Sequence, residues 1–129
     1  MTGKRTIGAV GIGVADLDKS TDFYTRVLGM KEMQRFKLPH MDEVIVGFDN
    51  HMAVALMHWT DGSEQHYRAN PVKLVFYVDD AKAIAEAIRA EGLAITREPS
   101  TLPGFGEMLI GLAEDPDGYV VELLQQPAA

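Results

Sequence analysis

Asp16–Met30 reads DLDKSTDFYTRVLGM, and its change of pattern decides the fold. Asp18 is the expected N-cap, because its side-chain oxygen can accept from a first-turn backbone N–H. Phe23, Tyr24, Val27 and Leu28 recur at helical spacing and form one apolar stripe. Gly29 supplies the C-terminal stop. Immediately before, Thr6–Ala15 (TIGAVGIGVA) is apolar, β-rich and too rich in glycine for a helix, so it reads as a strand. Immediately after, Lys31–Leu38, Glu43–Phe48 and Met52–Trp59 read as three strands. Pro39-His40 and Asp49-Asn50 mark the turns between them.

Thr60–Pro71 (TDGSEQHYRANP) is polar and rich in turn formers, and the pattern then restarts. Val72–Val78 reads as a strand. Asp80–Glu91 reads as a helix capped by Asp80 and stopped by Gly92, with Ile84 and Ile88 one turn apart. Leu93–Glu98, Gly106–Ala113 and Tyr119–Leu124 read as strands, the last two joined by the Asp115-Pro116-Asp117-Gly118 turn. Val14 and Val78 close equivalent strands 64 residues apart, and Gly29 and Gly92 close equivalent helices 63 apart. The chain is therefore an internal duplication in pattern. One four-stranded module with one helix cannot bury both faces of its sheet. The expected fold is α+β: two βαβββ modules forming a cupped eight-stranded mixed sheet, with helices outside. The expected layout is a single domain over 1–129, with module 1 at about 5–60, a linker at about 60–71 and module 2 at about 72–126.

Composition narrows the function. The chain has 129 residues, 47% of them hydrophobic, which is enough for a core. No apolar stretch approaches the roughly 20 residues of a membrane span. Met1-Thr2-Gly3-Lys4-Arg5 runs straight into strand-like sequence, with no signal peptide expected. There is no cysteine, hence no disulfide, thiolate site or Cys nucleophile. The net charge of −7 repels nucleic acid and anionic membranes. A cytoplasmic protein that binds a small molecule is the expectation.

Asp16–Tyr24 with Val27-Leu28-Gly29-Met30 resembles the first-helix signature of the vicinal-oxygen-chelate superfamily, which includes glyoxalase I, bleomycin-resistance proteins and dioxygenases. Glu114–Tyr119 followed by Val121-Glu122-Leu123 resembles that superfamily's last hairpin and strand, and Ala81–Glu98 resembles bacterial glyoxalase I. The resemblance implies a cup holding a divalent metal through one residue from each of four strands, His, Glu, His and Glu in glyoxalase I. Carried over by position, these fall on Ala9, Leu56, Lys73 and Glu122. Only Glu122 keeps a ligand. A catalytic divalent ion needs about three or more protein donors. Ala9 and Leu56 donate nothing, and Lys73 repels a cation. The expectation is therefore no cofactor and no metal site.

Lys73 and Glu122 belong to one module and should face one cup. Two readings stay open: a structural ion pair, or a site in which Lys73 holds a ligand oxygen and Glu122 acts as acid or base. His58 shares parity with Leu56 and is a candidate ligand contact, or only a rim residue. Tyr77 shares parity with Lys73 and is a candidate hydrogen-bonding residue or a core residue. Phe105, in Pro103-Gly104-Phe105-Gly106, sits on a loop that could cover a ligand or simply turn. Ala9 and Leu56 complete the expected lining.

Three functions follow. The first is ligand binding or sequestration without a metal, as the resemblance to bleomycin-resistance proteins implies. The second is a lyase or isomerase using Lys73 and Glu122. The third is a metal-dependent glyoxalase with non-standard ligands such as His58 and Glu122. Extradiol dioxygenase chemistry would need two His and one Glu on iron. The resemblance also implies a homodimer that pairs module 1 of one chain with module 2 of another.

Overall fold

A computed structural model describes residues 3–128; Met1, Thr2 and Ala129 lie outside the described residues. The chain divides into two compact units, one ending at Tyr67 and the other beginning at Arg68. The first contains β1 (Val10–Gly13), α1 (Leu17–Asp22), a π-helical turn (Phe23–Val27), β2 (Lys31–Lys37), β3 (Met41–Phe48) and β4 (His51–Trp59). The second contains β5 (Lys73–Tyr77), α2 (Ala81–Ala90), β6 (Ile95–Ser100), β7 (Leu109–Glu114) and β8 (Val120–Gln125). The strand orders are β1-β4-β3-β2 and β5-β8-β7-β6. In each sheet the first strand runs parallel to the last, and the other pairs are antiparallel. The fold is thus α+β, with two four-stranded mixed sheets.

α1 begins earlier than Asp18 suggests. Asp16 is the cap: its backbone is extended and its carboxylate accepts from the Lys19 N–H at 3.0 Å. Asp18 lies inside the first turn, where a negative charge complements the helix dipole. The last turn widens, with the Leu28 N–H donating to the Phe23 carbonyl at 3.1 Å. Gly29 then takes φ +81° and ends it, a conformation that costs glycine little. Arg26 forks onto Asp22 one turn back and holds that carboxyl below the usual carboxylate range through its hydrogen bond.

Alternation explains which sheet face is covered. Ile12, Val14, Val44, Val46, Val54 and Leu56 share one face of the first sheet. All six are buried, together with Phe23, Tyr24 and Val27 from the helical segment. Each such large side chain contributes about 1.5–3 kcal/mol on burial. In the second unit Phe76, Ala113, Val121 and Leu123 are buried with Ala81, Ala85 and Ile88 of α2. The opposite, open face of each sheet has no helix of its own unit upon it.

The turns hold the register. Asp49 and Asn50 both have positive φ and join β3 to β4 as a two-residue hairpin turn whose twist matches the strands. Asp115 is 2% exposed, and its carboxylate accepts from the Asp117 and Tyr119 N–H groups at 2.8 and 2.9 Å. That turn sets where β8 starts and therefore which way Glu122 points. Among the described residues no helix is long and apolar enough to cross a membrane.

Candidate functional site

Lys73 and Glu122 meet on the open face of the second sheet. In the parallel β5–β8 pair Lys73 stands opposite Val120, and Val75 opposite Glu122. The two charged residues are therefore diagonal neighbours on one face, and Lys73 Nζ lies 3.6 Å from Glu122 Oε1. The Glu122 side chain is 18% exposed and that of Lys73 55%. The carboxylate is mostly covered while the ammonium side chain remains exposed to water. Such a pair can hold a ligand oxygen at the ammonium and move a proton at the carboxylate.

The other residues expected here divide. Tyr77 lies on the same open face and is 74% exposed, but it stands four residues along β5 from Lys73, about 13 Å at strand rise. Phe105 is 56% exposed in the loop before β7, where its N–H donates to the Leu102 carbonyl at 3.1 Å. Ala9 precedes β1 and falls on the side of Gly11 by alternation.

Leu56 does not share that side, and this corrects the sequence reading. Leu56 pairs with Ile12 and Val44 on the helix-covered face and is fully buried. Gly11 pairs with Ala55. Val75 lies 64 residues after Gly11 and pairs with Glu122, so the counterpart of Glu122 in the first unit is Ala55. The count along β4 missed by one, and a one-residue slip reverses the face. His58 shares Leu56's parity and moves with it: it pairs with Asp42, and its Nδ1 lies 2.9 Å from the Val14 carbonyl. Its ring stacks on Tyr67 at 5.5 Å and lines a polar pocket of about 480 Å³ with Asp16, Asp18, Arg35, Lys37 and Asp42. There the hydrogen bond to Glu32 raises the Arg35 pKa further.

The register also exposes two open-face residues that sequence reasoning did not single out. Arg97 stands opposite Leu112, itself opposite Glu122. Its guanidinium donates to the Ile110 and Thr101 carbonyls and to Ser100 Oγ. Glu43 stands opposite Met57, on the face of Gly13. The visible signal for Glu43 was its parity with Ile45, out of phase with Val44 and Val46.

The model of the Glyoxalase/Bleomycin resistance protein/Dioxygenase superfamily matches residues 6–123. The chain belongs to this superfamily. Among superfamily relatives, a probable lactoylglutathione lyase of Vibrio cholerae is 33% identical over 90% of this chain and 87% of its own length. The lactoylglutathione lyase of Escherichia coli O157:H7 is 34% identical over 90% and 89%. The V278E mutant of glyoxalase I from Zea mays matches with TM-score 0.79 and 30% identity, over 94% of this chain and 44% of that one, so this chain spans under half its length. TnmS3, an antibiotic binding protein from Streptomyces sp. CB03234, is 20% identical with TM-score 0.74 over 98% and 100% of the two chains, a likeness of fold alone.

These superfamily relatives overturn the expectation that no cofactor is used. Glyoxalase I enzymes are metal-dependent, and the relationship points to a metal cofactor. The donors within each unit do not make a site for one by themselves. Among the described residues no three His, Asp or Glu side chains are arranged to hold a metal ion. The first unit has Ala9 and Ala55 at its ligand positions, and the second has Lys73 and Glu122.

Proposed function

We propose that this protein is a lyase of the lactoylglutathione lyase type, acting on the hemithioacetal that an α-ketoaldehyde forms with glutathione. Glu122 takes the proton from the carbon that bears sulfur and returns it to the neighbouring carbon. The hydroxyl proton on that same carbon passes to the neighbouring oxygen, so the sulfur-bearing carbon becomes the thioester carbonyl and the former carbonyl becomes an alcohol. The step is an isomerisation, so it needs no oxidant or reductant. Lys73 lies beside the carboxylate and supplies positive charge for the oxygen that becomes negative as the proton leaves. The observation that carries this reading is the contact of Lys73 Nζ with Glu122 Oε1 at 3.6 Å on an uncovered sheet face. The full-length relatives support the same chemistry.

Small-molecule binding without turnover is the second reading. It is favoured by Gly11, Gly13 and Ala55, which leave the first unit's open face with few donors and with Met57, Trp59 and Tyr67 lying over the glycines as an apolar lining. Assay of the purified protein on the hemithioacetal of methylglyoxal and glutathione, with and without chelator, separates the two. Formation of the thioester is expected; its absence with every divalent metal supplied would remove the lyase reading. A cytoplasmic homodimer belongs to the same proposal, and sedimentation as a 14.2 kDa monomer would count against the dimer.

A further inference from the structure

Glu43 is the one carboxylate that β1–β4 place on the open face of the first sheet. Glu32 pairs with Val46 and Asp42 pairs with His58, both on the helix-covered face. Glu43 stands between Met57 on β4 and Phe36 on β2, with Ile45 two residues along its own strand. Phe36 is 37% exposed and Glu43 half-buried. Asp42 has Lys37 at 3.5 Å and Glu32 has Arg35, yet Glu43 forms neither an ion pair nor a hydrogen bond with any described residue. The cation on the same face, Lys31, pairs with Gly47, four residues along β3 and about 13 Å away.

A carboxylate set among apolar side chains loses part of its hydration, and nothing in its own unit compensates it. The partner that would is a cation whose remaining surface is apolar. Phe36 stands opposite Glu43 on β2, and an aromatic ring adds to the attraction for a positive charge. We infer that Glu43 is a specificity-determining residue that selects ligands carrying a protonated amine on an apolar body. The inference rests on the open faces being the ligand surfaces, as in the proposed function. It deepens that reading, because the glutathionyl part of the proposed substrate carries one protonated amine, and Glu43 would be its partner.

The test uses two probes of equal shape, 2-phenylethylammonium and 2-phenylethanol, titrated at millimolar concentration into the full chain by calorimetry and thermal shift. The wild type is expected to bind the ammonium about tenfold more tightly than the alcohol, as a charge-assisted hydrogen bond allows. Glu43→Gln is expected to abolish that difference while keeping its ligand-free melting temperature, since no internal bond is lost. Glu64→Gln removes the same charge from an exposed site and should keep the preference. Equal binding of both probes by the wild type, binding of neither, or a preference that survives Glu43→Gln would overturn the inference. Failure of the lyase reading is seen separately, as absence of thioester from the hemithioacetal.

Discussion

Ala55 stands opposite Gly11 as Glu122 stands opposite Val75, which makes Ala55 and Glu122 equivalent positions of the two sheets. Leu56, its neighbour, faces the helix and has no exposed surface. The two positions should therefore respond differently to the same substitution. Ala55 is 9% exposed, with the flexible Met57 side chain over Gly11 beside it; in Ala55→Glu that methionine must swing aside for the carboxylate to reach water, and the protein should be destabilised but stay folded. Leu56→Glu buries a charge against Ile12 and Val44 with no partner, and should leave the protein unfolded or insoluble. Leu56→Ala should cost about 2–5 kcal/mol. Thermal melts of the three variants check this. Tolerance of Glu at 56 together with rejection at 55 would reverse the assignment of faces.

Glu122 and Lys73 should separate catalysis from stability. General acid–base groups contribute about 10²–10⁴-fold, so Glu122→Gln should lower kcat on the glutathione hemithioacetal by at least about 100-fold. Lys73 is more than half exposed, and an exposed pair is worth only about 0–1 kcal/mol. The melting temperature of Lys73→Met should therefore change little while its turnover falls. If Glu122→Gln melts earlier but turns over normally, the pair is structural and the catalytic role is lost.

Much of this arrangement was legible in the chain itself. The glycine stops at Gly29 and Gly92 and the Asp115–Gly118 turn each rest on local chemistry that tertiary context does not override. Lys73 and Glu122 could be placed because each lies a few residues from a local motif, the Asp80 helix cap and the Asp115 turn. β4 has no such anchor. It follows a hairpin with a register shift at Val46/Gly47, and counting through that bulge put Leu56 where Ala55 belongs. His58 was misplaced for the same reason. Glu43 was passed over because its neighbours across the sheet, Phe36 and Met57, are far from it in sequence. The cap moved from Asp18 to Asp16 because both residues suit the position, and only the backbone conformation chooses between them.

Metal content should depend on Glu122. The relatives point to a metal cofactor, and Glu122 is the one position at which this chain keeps a ligand of the family. Protein purified with nickel, zinc or manganese supplied, then desalted, is expected to carry metal that Glu122→Gln reduces severalfold. Replacing a carboxylate by an amide removes the charge but keeps the shape, and the melting temperature of the variant shows whether it is folded. Elemental analysis reads this independently of turnover. Metal retained undiminished by Glu122→Gln would show that other donors hold it.

Two glycines that look alike in sequence should behave differently. A Cβ at Gly47 would lie 1.9 Å from the His51 carbonyl oxygen, a backbone atom fixed by the hairpin that carries Asp49 and Asn50. A Cβ at Gly11 would lie 2.9 Å from Met57 Cε, the free end of a flexible side chain. Gly47→Ala must therefore move a strand, and a loss of about 2 kcal/mol or more is expected, in the range of strained backbone positions. Gly11→Ala needs only a methionine rotamer change, and the smaller conformational freedom of the unfolded chain offsets it by about 0.4–1 kcal/mol. Its melting temperature should stay near that of the wild type. Because Gly11 lies on the open face, the added methyl pushes Met57 over that face, so KM or ligand affinity should change more than stability. Equal destabilisation by both substitutions would mean that Met57 is locked in place and that the face is packed rather than open.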